Sequence, residues 1–268
     1  MPANDSVAQT PPGADNPRMS NRDLEPFLRE WAYEPGRVNA RMIETDDGTS
    51  RLQVRLDLGV LQMRVDGRPD GEEPEGAETL LDLHLDRLRR YVEGGAGSEG
   101  FVLSAAECRA IREEAVQIYH RYVAFFALGE YELVMRDTRD NLRRFDLCRD
   151  HGHEAEDRMM LEQFRPPVTC MFARAEAESA IARQSPRDAI AALDRGLDAL
   201  RSFFEEHFGP EAFERAGETQ LLRGMRDALV PRLPASQRAE LEERLRAALD
   251  AENYELAAIL RDELRMMR

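Results

Sequence analysis

The chain has 268 residues, enough for one large domain or two small ones and for a sizeable core. It carries 37 basic and 52 acidic residues, a net charge of −15, and every basic residue is an arginine. Without lysine there is no phosphate-loop lysine, no Schiff base to pyridoxal phosphate or a carbonyl substrate, and no Ser-x-x-Lys nucleophile pair. The acidic balance also argues against direct nucleic-acid binding, which needs clustered positive charge to displace counterions. Three widely spaced cysteines, Cys108, Cys148 and Cys170, form no Cys-x-x-Cys pattern and read as the reduced thiols of a cytoplasmic protein. No apolar run approaches the ~18 residues of a membrane span. The first residues, with Pro2, Asp5, Pro11 and Pro12, lack the charged-then-apolar layout of a signal peptide.

Residues 1–22 are rich in Pro, Asn, Asp and Ser and are expected to be a disordered tail, because they bury too little to offset ordering entropy. Leu24 to Trp31 follows as a short anchoring turn that carries the single tryptophan. From Arg37 to Val65 the period is two. Val38, Ala40 and Met42 alternate with polar residues, the run Asp46 to Ser50 supplies a turn, and Leu52, Val54, Leu56 and Leu58 alternate again. Gly59 reads as a bulge leading into a third strand, Val60 to Val65, and Asp66 to Gly71 as a further turn. A three-stranded antiparallel meander with one face to water is predicted.

Helical spacing takes over after the acidic loop Glu72 to Glu78. Leu80, Leu81, Leu85 and Leu88 form a stripe that ends near Tyr91, and the glycines from Gly94 to Gly100 break it. Ser104 is placed to cap a helix carrying Ile111, Ala115, Ile118, Tyr122 and Phe126, interrupted at Gly129. Tyr131, Val134, Thr138, Leu142 and Phe145 continue to about Arg149, and Pro166-Pro167 makes the next break. Helices are predicted over Val168 to Arg183 and Pro186 to His207, the second with Ile190, Leu193, Leu197, Leu200 and Phe204 on one face. A short helix marked by Leu222, Met225 and Leu229 precedes Pro231 and Pro234. Gly129 to Val134 and Pro186 to Leu193 loosely resemble tetratricopeptide-type helix pairs. Their matching positions Val134 and Ala189 lie 55 residues apart, so an irregular array of helical hairpins is expected rather than a true 34-residue repeat.

The sharpest pattern lies in residues 236–268. One helix carries Leu241, Leu245, Ala248 and Leu249; Asn253 is placed to cap a second, with Tyr254, Ala257, Leu260, Leu264 and Met267 along it. The stretch Asn253-Tyr-Glu-Leu-Ala-Ala-Ile-Leu-Arg-Asp262 resembles the UVR motif, a helical hairpin of the repair proteins UvrB and UvrC. Tyr254, Glu255, Ala257, Ala258, Arg261 and Asp262 match the core Aromatic-Glu-x-Ala-Ala-x-x-Arg-Asp, and Leu241, Leu245 and Ala248 fit the preceding helix. The resemblance covers about an eighth of the chain. It implies a protein–protein contact element, and two short helices that bury little against each other want a partner. There is no phosphate loop as in UvrB and no Gly-Ile-Tyr and Tyr-Ile-Gly pairing as in UvrC. The Cys-x-x-Cys zinc sites of McsA-like UVR proteins are absent too.

Other candidates are weaker on their own terms. Gly95-Ala-Gly-Ser-Glu-Gly100 spells a dinucleotide pattern but follows a helix rather than a strand, so it reads as a linker. Cys148, His151 and His153 gather metal-ligand types at a helix end, where a His-rich last turn complementing the dipole is the commoner meaning. Residues 236–268 hold 6 arginines and 8 acids, a net of −2 that fits a solvated or partner-selecting helix edge. The expectation is therefore an α+β fold, mostly α. It comprises a tail over 1–22, a β-meander region over 23–78, a helical domain over 79–233 and a helical hairpin over 236–268.

The expected function is that of a non-enzymatic adaptor without cofactor, metal, membrane or nucleic-acid contact. Its docking residues are Leu241, Leu245, Tyr254, Ala257, Ala258, Leu260 and Leu264, with Arg261 and Asp262 setting register at the edge. The resemblance implies a UvrB- or UvrC-like partner or self-association, with nucleotide-excision repair as one setting. The competing reading is a metal-dependent enzyme or stress regulator using Cys148, His151 and His153.

Overall fold

An antiparallel meander of β1 (Asn39–Glu44), β2 (Ser50–Arg55) and β3 (Val60–Arg64), in that order, precedes a run of helices. The fold is α+β and mostly α. The computed structural model describes residues 23–95, 97–229, 237–250, 253 and 256–261, and the tail expected over 1–22 lies outside them. In the β1–β2 turn, Gly48 takes a φ of 77° and the Asp47 carboxylate accepts the Thr49 N–H and both threonine hydroxyls, Thr45 and Thr49. Those bonds hold the Asp47 carboxyl well below the usual carboxylate range. The β2–β3 reversal is a tight turn in which the Leu56 N–H donates to the Gly59 carbonyl at 2.9 Å. Gly59 is thus part of a turn rather than a bulge. Leu58, expected to continue the alternation, sits at the turn tip 87% exposed.

Register places Ala40, Val54 and Leu61 in one cross-strand row and Met42, Leu52 and Met63 in the next, which collects the apolar side chains on one face. That face packs on Ile118, Tyr122 and Phe125 of α3 (Ala105–Leu128). The opposite face was expected to be wet and is so only in part: Gln62 and Arg64 are exposed, whereas Gln53 and Arg55 are buried. Arg41, Gln53 and Gln62 form a hydrogen-bonded ladder across it, at 2.9 and 2.8 Å. The short helix α1 (Glu25–Glu30) and Trp31 lie over the Arg41 end of this ladder. The Arg41 guanidinium lies 4.1 Å from the centre of the Trp31 ring and 5.2 Å from that of Phe27, and Arg55 Nε donates to the Trp31 carbonyl at 2.9 Å. Cation–π stacking lets an aromatic lid close over charged side chains whose polar atoms already have partners.

α2 (Leu80–Glu93) is capped by the Thr79 hydroxyl, and α3 by Ser104 in a capping box with Glu107. Partial burial alone would raise the Glu107 carboxyl. The Ser104 hydrogen bonds and Arg87 outweigh it and bring its pKa down to about 2. α3 ends on Gly129 at a φ of 78°, and α4 (Tyr131–His151) folds back against it. A short α5 (Ala155–Met159), with too few apolar residues to show a period, leads to α6 (Arg165–Ala182). Pro166 and Pro167 do not precede that helix but occupy its first turn, where a missing N–H leaves no bond unmade. α7 (Pro186–His207) has the predicted bounds. α8 (Pro210–Arg215) is an additional short helix, and α9 (Gly217–Leu229) carries Leu222, Met225 and Leu229. α6 and α7 meet through small residues. A Cβ on Gly196 would lie 2.4 Å from that of Ala173, so only glycine admits this approach.

Four charged residues join α3 to α4. Glu114 and Arg121 lie seven positions apart on α3; Asp137 and Arg144 lie seven apart on α4, in the same acid-then-base order. Antiparallel packing therefore pairs Arg144 with Glu114 at 2.8 Å and Arg121 with Asp137 through two bonds of 2.7 and 2.8 Å. All four side chains are buried. Their remaining capacity goes to the rest of the fold. Glu114 accepts the Leu80 N–H at 2.8 Å, seating the first turn of α2. Arg121 donates to the carbonyls of Arg64 and Gly67, and Arg136 to those of Val65 and to Asp66, which clamps the segment after β3. Truncating Arg144 to Leu leaves the Glu114 carboxylate with only the longer contact to Arg68, at 3.7 Å, and is expected to cost about 3 kcal/mol in urea unfolding. Adding Glu114→Gln recovers part of that loss, since the amide removes the uncompensated charge and still accepts from Leu80.

Candidate interaction site

α10 (Gln237–Asp250) and helical residues 256–261 form the C-terminal hairpin. Asn253 makes its turn. The Asn253 N–H donates to the Ala248 carbonyl at 2.8 Å and closes α10, while its side-chain oxygen accepts the Leu256 N–H at 3.2 Å and starts the second helix. This is the N-cap that an asparagine followed by a helical stripe predicts. Inside the hairpin, Ala248, Ala257 and Leu260 form a buried cluster with Leu245 packed against it. The small side chains of Ala248 and Ala257 let the two helices approach closely enough for Leu260 to be 1% exposed.

The expected docking residues consequently divide. Ala257 and Leu260 face inward and close the hairpin on itself, with Leu245 half-buried beside them; Ala258 and Arg261 are exposed. Tyr254, Asp262, Leu264 and the Leu241 side chain lie outside the described residues. Among the described residues of the hairpin, the large apolar groups that reach solvent are Leu249, Leu256 and, at 56% exposure, Ile259. Leu256 and Ile259 were not among the residues singled out from sequence. They sit one position before Ala257 and Leu260, and a stripe so displaced cannot share the same burial against one neighbouring helix. That offset is the signal by which the sequence could have revealed them.

The structure does not bring Cys148, His151 and His153 together. Cys148 is buried in the cluster of Phe101, Leu103 and Cys108; the neighbouring Cys108 thiol, together with burial, pushes the Cys148 thiol up, while Cys108 is lowered by Cys148. The His151 ring hydrogen-bonds the Phe101 carbonyl at 3.2 Å and lies edge-on to the Phe101 ring, while His153 is exposed beside Glu154. Among the described residues no group of three or more His, Cys, Asp or Glu side chains is arranged to hold a metal ion. The Gly95–Gly100 stretch joins α2 to Leu103, which bridges Gly152 in parallel; a helix precedes it and no phosphate-binding turn follows from that context. Among the same residues no helix is long and apolar enough to cross a membrane.

Among the buried titratable groups of the body is a histidine. His84 of α2 packs under Glu107 and Glu114 of α3, Arg87 of its own helix and Glu75 before it. Burial lowers its pKa below the ordinary 6.5, against the raising influence of the three carboxylates. The unfolded chain thus binds a proton at a higher pH than the folded one, and stability falls as pH drops through 6.5 and below. The expected result is a urea midpoint that declines over this window in the native sequence and declines less in His84→Gln. Parallel pH profiles of the two proteins would disprove it.

No family model, curated protein or solved structure matches this chain. The likeness to the UVR motif therefore rests on Tyr254 to Asp262 and the leucines that precede them.

Proposed function

We propose that this chain is a non-enzymatic adaptor that docks on a helical protein partner through its C-terminal hairpin. In this reading it works in the cytoplasm, with nucleotide-excision repair as its setting and UvrB or UvrC as its partner. The observation that carries the reading is the division of the hairpin's apolar groups. Leu260, Ala257 and Ala248 saturate the interior, yet Leu249, Leu256 and Ile259 remain at the surface of an otherwise charged element. Exposed aliphatic groups on a helix face are what a helical partner buries. The match of Tyr254, Glu255, Ala257, Ala258, Arg261 and Asp262 to the UVR core supports the choice of partner. The three free thiols fit a reducing compartment, and the net charge of −15 fits a protein that contacts proteins rather than nucleic acid.

Inner and outer positions separate structure from docking. Ile259→Asp is expected to leave helicity and melting unchanged while weakening binding to purified UvrB or UvrC at least about tenfold, or ~1.4 kcal/mol. Leu260→Asp places a charge in the closed interior and is expected to lower helicity and binding together. Binding by Ile259→Asp equal to that of the native sequence, measured by calorimetry against both proteins, sinks the adaptor reading.

A further inference from the structure

A groove of about 450 Å³ runs along α3 opposite the segment that joins α5 to α6. Tyr122, Phe145 and Leu161 form its buried floor. Its rim is apolar as well, with Val116 at 51%, Tyr119 at 49% and Phe164 at 46% exposure. Aliphatic and aromatic groups half in water on both walls of a cleft mark a surface that a larger body covers, because a small molecule on the floor leaves the rim wet.

The charge of the groove is the reverse of the chain's. Arg112 and His120 line it, and no carboxylate does. Arg112 is half-buried and forms none of the ion pairs that hold Arg121, Arg136, Arg144 and Arg165; on its other side it lines an adjoining pocket with Glu154, Glu156 and Asp157. The groove thus asks for an occupant with aliphatic side chains on one helical face and acidic residues beside them.

The hairpin of this same chain has that chemistry. Leu256 and Ile259 lie three positions apart on one face of its second helix, Leu249 is exposed near the end of α10, and residues 236–268 have 8 acids against 6 arginines. We propose that the hairpin of one copy docks in the α3–α6 groove of a second copy. Leu256 and Ile259 then meet Val116, Tyr119 and Phe164, and the hairpin's acids lie over Arg112 and His120. This inference rests on the reading of the hairpin as a docking element and names a receptor surface for it. The interface is heterologous, since one copy gives its hairpin and the other its groove. Self-association then covers the hairpin surface that a foreign partner needs, so the two compete.

Sedimentation velocity on the full-length protein across micromolar concentrations tests this with two variants at half-exposed positions, Tyr119→Asp in the groove and Ile259→Asp in the hairpin. Val116→Asp replaces the first if circular dichroism shows it to be misfolded. The native protein is expected to associate, each variant alone to be weakened at least about tenfold, and an equal mixture of the two variants to form a one-to-one dimer. The mixture restores one intact hairpin facing one intact groove. A native protein that stays monomeric overturns the proposal, as does a mixture that stays monomeric. Association by Tyr119→Asp equal to the native protein also overturns it. In that last case loss with Ile259→Asp leaves the docking hairpin standing without this groove, whereas retention by both variants removes the hairpin's docking role in self-association as well.

Discussion

The reciprocal pairing of Glu114 with Arg144 and Arg121 with Asp137 is the constraint on which the remaining architecture hangs. Two helices of 24 and 21 residues with apolar stripes alone have several registers of similar energy. Charges placed seven apart on each helix, acid before base on both, find opposite partners across the antiparallel pair in one of them, and a shift by one turn leaves two carboxylates and two guanidinium groups buried without those partners. The pairs thus act on specificity more than on net stability. Their spare hydrogen-bonding capacity then fixes what lies outside the helix pair. Glu114 orders the start of α2, and Arg121 and Arg136 hold the backbone from Arg64 to Gly67, so sheet and helices share one joint.

Local chemistry was legible in the sequence wherever it acts over a few residues. Ser104 and Glu107 cap α3, Gly129 ends it in the left-handed region, Asn253 starts the hairpin's second helix, and α7 spans Pro186 to His207 as its stripe requires. The misses are places where a distant segment changes what a local pattern means. Gln53 and Arg55 alternate as a solvated strand face should, yet they are interior: Gln53 accepts from an Arg41 that stacks on Trp31 and Phe27, and Arg55 donates to the Trp31 carbonyl. Pro166-Pro167 reads as a break from either side, yet a helix begins there as readily as it ends.

The ion pairs themselves were hidden by their own regularity. Ile111, Glu114, Ile118, Arg121 and Phe125 follow one another at intervals of 3, 4, 3 and 4, which is a core stripe with charges in two of its positions. A charged residue in such a stripe looks like the edge of a wet face until its partner is known, and that partner lies 16 or 30 residues away. The hairpin shows the same limit on a smaller scale. The Ala257-Ala258 pattern identifies a helix made for close packing, but which of the neighbouring aliphatic groups turns inward is decided by Leu245 and Ala248 across the turn.

The bond from the Leu80 amide to the Glu114 carboxylate gives α2 a particular way of leaving the body. When its first turn lifts, the uncovered group is a carboxylate already held by Arg144, and entering water hydrates that anion at the moment its amide donor departs. The charge that seats the closed turn would thus also favour hydration of an open one, so that the two differ in the solvation of a single carboxylate. Opening of α2 is in this sense a solvation event, sensitive to dissolved salts and water activity through one side chain of α3.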